Sequence, residues 1–142
     1  MKHCKSGRQF GRVASQRKAL LSSMLVSLII HERIETTEAK AKELKSKIDR
    51  VITKAKRAEG KDMEIVRKLE ATLPIVAIQK IKDELLDRMS KRKSGYTRVI
   101  KMSPRKSDGA RKAIIEFVDA KKEVKKTIKV DKKTKKSVSE KK

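Results

Sequence analysis

The chain has 142 residues, room for one compact domain, and its 41 Lys and Arg against 18 Asp and Glu give a formal charge of +23. An excess of that size repels itself on folding and calls for a polyanionic partner. The single cysteine, Cys4, excludes an intrachain disulfide and a thiolate-rich zinc site, and the longest apolar run, Met24 to Ile30, is far short of the roughly 20 residues of a membrane span.

In chain order, residues 1–14 read as an irregular basic arm. Gly7 and Gly11 interrupt it, apolar periodicity is missing, and through residue 18 there are six basic residues and no acid. Lys2 and Lys5 are followed by no hydrophobic stretch before Arg8, Arg12 and Arg17, so the pattern is not that of a secretory signal and predicts a protein kept inside the cell. From about Ser15, a candidate cap, Leu20, Leu21, Met24, Leu25 and Leu28 fall at helical spacing. The β-branched run Arg33 to Thr37 predicts a short strand.

A second helix aligns Ala41, Leu44, Ile48, Val51, Ile52 and Ala55 and stops at Gly60. Its polar side pairs Glu38 with Lys42 and Glu43 with Lys47 at i, i+4. Asp62 caps a short third helix with Ile65, Val66 and Leu69; Pro74 opens a fourth that buries Ile78, Ile81, Leu85 and Met89. Tyr96 to Met102 and Ala113 to Asp119 read as two strands joined by turn residues from Ser103-Pro104 to Asp108-Gly109. Beyond Ala120 lysine dominates, and the segment 120–142 lacks the apolar residues to offset its ordering entropy; a disordered tail is expected in the free protein. The order helix, strand, three helices, two strands predicts a single α+β domain over 1–119, with helices packed on one face of a small sheet.

The charge is not spread evenly. Residues 91–112 hold nine basic residues and one acid, and 121–142 hold eleven lysines and three acids, whereas the 80 residues outside these segments and the arm are nearly balanced. A neutral body carrying three cationic segments has the form of a phosphate-binding footprint, in which Arg supplies bidentate grips and Lys mobile point charges.

Catalytic groups do not converge. His3 and His31 are far apart and unsupported by cysteines, the carboxylates lie on predicted helix faces, and no GxSxG, GxxxxGK or paired-His motif occurs, so neither an enzyme nor a cofactor or metal site is expected, and no small-molecule substrate. With Phe10, Tyr96 and Phe117 as its only aromatic residues, the chain lacks the ring platforms of single-strand binders; recognition of folded or double-helical nucleic acid by shape and phosphates remains. A basic β-arm would also suit a DNA-architectural, histone-like protein, the rival reading, for which Pro104 is the only apolar wedge. A membrane partner is not expected, because the basic ends have no amphipathic helix.

Several segments together resemble the bacterial large-subunit ribosomal protein family numbered seventeen. They are the opening Met1-Lys2-His3-Cys4-Lys5-Ser6-Gly7-Arg8-Gln9, Thr36-Thr37 with Ala41-Lys42-Glu43-Leu44, Ser94-Gly95-Tyr96-Thr97-Arg98-Val99-Ile100-Lys101, and Ile114-Ile115-Glu116-Phe117-Val118. The chain departs from that family's wording at Gln16, Ser22-Ser23 and Ser94. The resemblance implies an α+β fold with a small mixed three-stranded sheet, contacts to large-subunit ribosomal RNA and to neighbouring ribosomal proteins near the nascent-chain exit, and a cytoplasmic place in the ribosome. The candidate RNA-binding residues are then Lys2, His3, Lys5, Ser6, Arg8, Arg12, Arg17 and Lys18 of the arm and helix start, with Lys91, Arg92, Lys93, Tyr96, Arg98, Lys101, Arg105, Lys106 and Arg111 of the hairpin region. In this reading arm and hairpin clamp separate RNA segments.

Overall fold

The computed structural model describes residues 7–58 and 62–119, and in it the apolar rows of the sequence become the buried faces of four helices. The first six residues, the expected stop at Gly60 and the tail from 120 lie outside the described residues. Helix α1 (Ala14–His31) buries Leu21, Leu25, Leu28 and Ile29, and α2 (Glu38–Lys56) buries all six residues of its predicted row. Helix α3 (Asp62–Leu69) adds Ile65 and Leu69, with Val66 half-buried beside them. The fourth helix, α4, runs as Ile75–Lys80, a π-helical turn Ile81–Leu85 and a last turn Leu86–Arg88. The Leu86 N–H reaches back to Ile81 O across the wide turn, and the neighbours Leu85 and Leu86 both face the core.

The helix ends differ from expectation at two expected caps, since Asp62 is the first residue of α3 and not its cap. Ser15 does not cap α1; Val13, extended, is the N-cap and makes no side-chain cap bond. At the other end Glu32 turns the chain in the left-handed region (φ 62°), its N–H donating to Leu28 O at 2.8 Å. Pro74 opens α4 from the N-cap, where its lack of an N–H costs nothing.

Strands β1 (Arg33–Thr37), β2 (Thr97–Lys101) and β3 (Lys112–Phe117) form one sheet in the order β1-β3-β2, antiparallel at both ladders and not mixed. The hairpin connection 102–111 imposes that direction on β2 and β3. For β1 it is imposed at its two ends, where Glu32 O accepts from Phe117 N and Glu38 N donates to Arg111 O. Ala113, Ile115 and Phe117 of the central strand point into the core and are fully buried. On the opposite face Ile114 lies between Glu35 and Ile100, and Glu116 between Arg33 and Arg98.

Candidate nucleic-acid interface

The described part of the arm, residues 7–13, is neither helix nor strand. Phe10 (φ 57°) and Gly11 (φ 61°) occupy the middle of a tight turn closed by Arg12 N to Gln9 O at 3.2 Å, and glycine makes the second left-handed position inexpensive. The turn folds the arm back so that Arg8 lies 3.6 Å from Glu43 of α2. Glu43 therefore pairs with the arm and not, as the i, i+4 spacing predicts, with Lys47. Arg12 donates to Phe10 O and is exposed; Lys18 is exposed and Arg17 half-buried, and among the described residues none of the three meets a carboxylate.

Arm and hairpin do meet. Arg8, Lys42 at the start of α2 and Arg111 at the base of the hairpin line one shallow depression. Lys101 and Lys112 extend it along the hairpin, and Arg105 and Lys40 continue it past Thr36. At its centre sits a single carboxylate, Glu38, 2.7 Å from Lys42 and 3.9 Å from Lys101. The Lys42 hydrogen bond, reinforced by the charges of Lys42, Lys101 and Arg111, holds Glu38 below the usual carboxylate range against a smaller opposing effect of burial. Glu35, paired with Lys112, and Glu43, paired with Arg8, flank it; three acids among seven cations fix several of these side chains in place and leave the basin positive. At the hairpin tip Arg105 pairs with Asp108 at 3.2 Å, Lys106 is exposed, and Gly109 turns the chain at φ 64° with its N–H on Arg105 O.

The basic segment 91–112, one unit in the sequence, is split in space. Strand β2 rises about 3.3 Å per residue, so Lys91, Arg92 and Lys93 sit at the end of the strand opposite Lys101 and the hairpin tip. Lys56, from the last turn of α2, organises this second patch: its ammonium donates to Met89 O, to Arg92 O at 2.6 Å and to Ser90 O at 3.3 Å, and lies 5.1 Å from the Tyr96 ring centroid. Arg92 is held by Asp119 at 2.6 Å, which raises its already high pKa. Lys91 and Lys93 point outward. Tyr96 is 1% exposed, its ring in the core, its hydroxyl donating to Lys93 O and its N–H to Asp49; the structure does not bring it to the surface. Arg98 lies on the outer sheet face, 2.6 Å from Glu116. Lys2, His3, Lys5 and Ser6 are outside the described residues.

Sequence reasoning missed Lys40, Lys42 and Lys112 as members of the basin and Lys56 as the organiser of the second patch. Lys42 was hidden by its i, i+4 pair with Glu38, which reads as ordinary helix neutralisation, and Lys112 by its place among the many cations of segment 91–112, since its partner Glu35 lies 77 residues away. Only contacts far apart along the chain reveal them. Among the described residues no group of three or more His, Cys, Asp and Glu could hold a metal, and no helix is long and apolar enough to cross a membrane.

The family model described as ribosomal protein L17 matches residues 20–118, a span that contains the helices and strands from the first buried leucine of α1 to the end of the sheet. The chain belongs to the ribosomal protein L17 family. Among its relatives, the large ribosomal subunit protein bL17 of Thermodesulfovibrio yellowstonii is 47% identical, with 94% of this chain and 98% of that one covered. The bL17 protein of Listeria innocua is 40% identical over 78% of this chain and 98% of its own, and that of Chlorobaculum parvum 42% identical over 84% and 76%. Arg8 of the arm falls before the L17 family match yet pairs with Glu43 of its second helix.

Proposed function

We propose that this chain is a structural, non-enzymatic constituent of the large ribosomal subunit, working in the cytoplasm as part of the ribosome and binding folded ribosomal RNA through its arm and hairpin. Membership of the L17 family supports the place in the subunit. The observation that carries the RNA reading is that Arg8 of the arm, Lys42 of α2 and Arg111 of the hairpin line one basin. Phosphates entering there would displace counterions from several cations at once, and the rigid body behind them fixes the angle between arm and hairpin.

In this mechanism the arm, turned by Phe10 and Gly11, closes over a phosphate path that begins at the hairpin. The Lys91 to Lys93 patch, at the far end of β2, takes a separate stretch of RNA, so the protein pins two segments at the spacing set by the strand. Neighbouring large-subunit proteins near the nascent-chain exit complete the setting. If about ten phosphates are neutralised, log affinity for large-subunit ribosomal RNA falls with log salt at a slope near minus seven to minus nine. Filter binding across salt concentrations measures it, and a slope shallower than about minus two would remove the electrostatic mechanism. Substituting Arg8→Ala and Arg12→Ala together is expected to weaken binding while circular dichroism stays unchanged.

A further inference from the structure

Helix α2 carries a second row of cations that the arm and hairpin do not use. Lys47, Arg50 and Lys54 recur at i, i+3 and i+7 and line a groove that α2 shares with α1 and α3, where Lys68 joins them from α3. The floor is apolar and closed, with Val51 6% and Leu69 1% exposed. Lys68 is neutralised by Glu64 at 2.5 Å, but among the described residues Lys47, Arg50 and Lys54 have no carboxylate partner, because the acid expected for Lys47, Glu43, is taken by Arg8.

Lys54 stands in the last turn of α2, where a cation favours the helix dipole, and alone it would need no further explanation. Lys47 and Arg50 are in the middle of the helix, where that benefit is gone and unneutralised like charges three and four residues apart destabilise it. The flank is also distinct from the one already described: Asp49 and Lys56 of the same helix reach the β2 side, at Tyr96 N and Arg92 O, whereas this row faces α3.

We propose that the α2–α3 groove is a further anchor for the phosphate backbone of RNA, reaching from about 8 to about 18 Å along α2 from Lys42 at the helical rise of 1.5 Å per residue. It rests on the RNA-binding function proposed above. The occupant is an RNA backbone because the groove offers three free cations in a line and a floor without exposed apolar area for a protein side chain to fill. The protein therefore holds RNA along the length of α2 as well as through its extensions.

The test uses the full chain and large-subunit ribosomal RNA. The triple substitution Lys47→Gln, Arg50→Gln, Lys54→Gln keeps helix-forming side chains and removes the charge; it is expected to make the salt slope shallower by about two to three, at 0.7 to 0.9 per lost phosphate contact. An unchanged slope, while Arg8→Ala with Arg111→Ala lowers it, overturns the groove and leaves the basin standing. If neither set changes the slope, the RNA reading of both surfaces falls. Should the triple variant not fold, Cys4→Ser with Ser46→Cys, carrying tethered iron–EDTA on the exposed face of α2, decides: RNA cleavage in reconstituted particles is expected, and none overturns the proposal.

Discussion

Arg88 of α4 grips the carboxylate of Glu32 with both terminal nitrogens, at 3.0 to 3.2 Å, and so ties the far end of the fourth helix to the left-handed residue that ends the first. Lys80 adds a fourth contact at 3.4 Å, and both acid and guanidinium are less than one-fifth exposed. Partial burial pushes the Glu32 carboxyl up, but the Arg88 hydrogen bonds and the charges of Arg88 and Lys80 together outweigh it, and its pKa lies below the ordinary value.

A carboxylate whose pKa is lower in the folded than in the unfolded state contributes stability that is complete above the unfolded value, near 4.5, and is lost as pH falls through the folded one. Glu32→Gln keeps the shape and removes the charge. Urea unfolding at neutral pH is expected to show a loss of about 1–3 kcal/mol, since Arg88 stays half-buried without its counter-ion. Between pH 5 and 3 the variant's stability is expected to fall less steeply than the parent's; parallel curves would mean that Glu32 is not linked to folding.

Lys56 answers three carbonyls and one aromatic ring at the junction of α4 and β2. Lys56→Met fills similar space and leaves Arg92 O without its Lys56 donor, while Met89 O keeps only the Arg92 N–H, at an expected cost of about 1–3 kcal/mol. The same change loosens the loop that displays Lys91 to Lys93, so limited trypsin digestion at those residues is expected to speed up while cleavage at Lys106 does not.

Glu116 stands between Arg98 at 2.6 Å and Arg33 at 3.5 Å on the outer sheet face. Both arginines are more than half exposed, so the pairs contribute little, and Glu116→Gln is expected to lower stability by no more than about 1 kcal/mol. It also releases two arginines beside the hairpin. Affinity for ribosomal RNA in low salt is expected to rise, with a steeper salt slope, if Arg98 contacts phosphate; no change would remove Arg98 from the interface.

Gly109→Ala meets no steric neighbour, yet it holds φ at 64°, where a Cβ costs roughly 1–2 kcal/mol. The expected result is a comparable loss in stability, with the hairpin tip exchanging amide hydrogen faster and the helices unchanged. Equal protection in the tip of both proteins would show that the turn tolerates the strain.

The helices and strands were legible because their cause is local. The row Ala41, Leu44, Ile48, Val51, Ile52, Ala55 repeats at the helical period and is buried to the last residue, and the β-branched run Arg33 to Thr37 is a strand to its boundaries. Membership of the L17 family was legible for a related reason, since several short segments occur in one order. The α1 cap was not, because Ser15 lies one residue inside a helix that begins at Ala14. Composition and spacing also determined that a neutral body carries concentrated positive charge.

Which charges act together was decided only in three dimensions. Folding brought Arg8 to Glu43, which freed Lys47; it gathered Lys42 and Arg111 at the base of the hairpin, split Lys91 to Lys93 from Lys101, and drew Tyr96 inside. The physical reason is reach. Periodicity reports whether a side chain faces the core of its own element, whereas an ion pair a few ångströms long is set by how separate elements pack, and no spacing along the chain contains that distance.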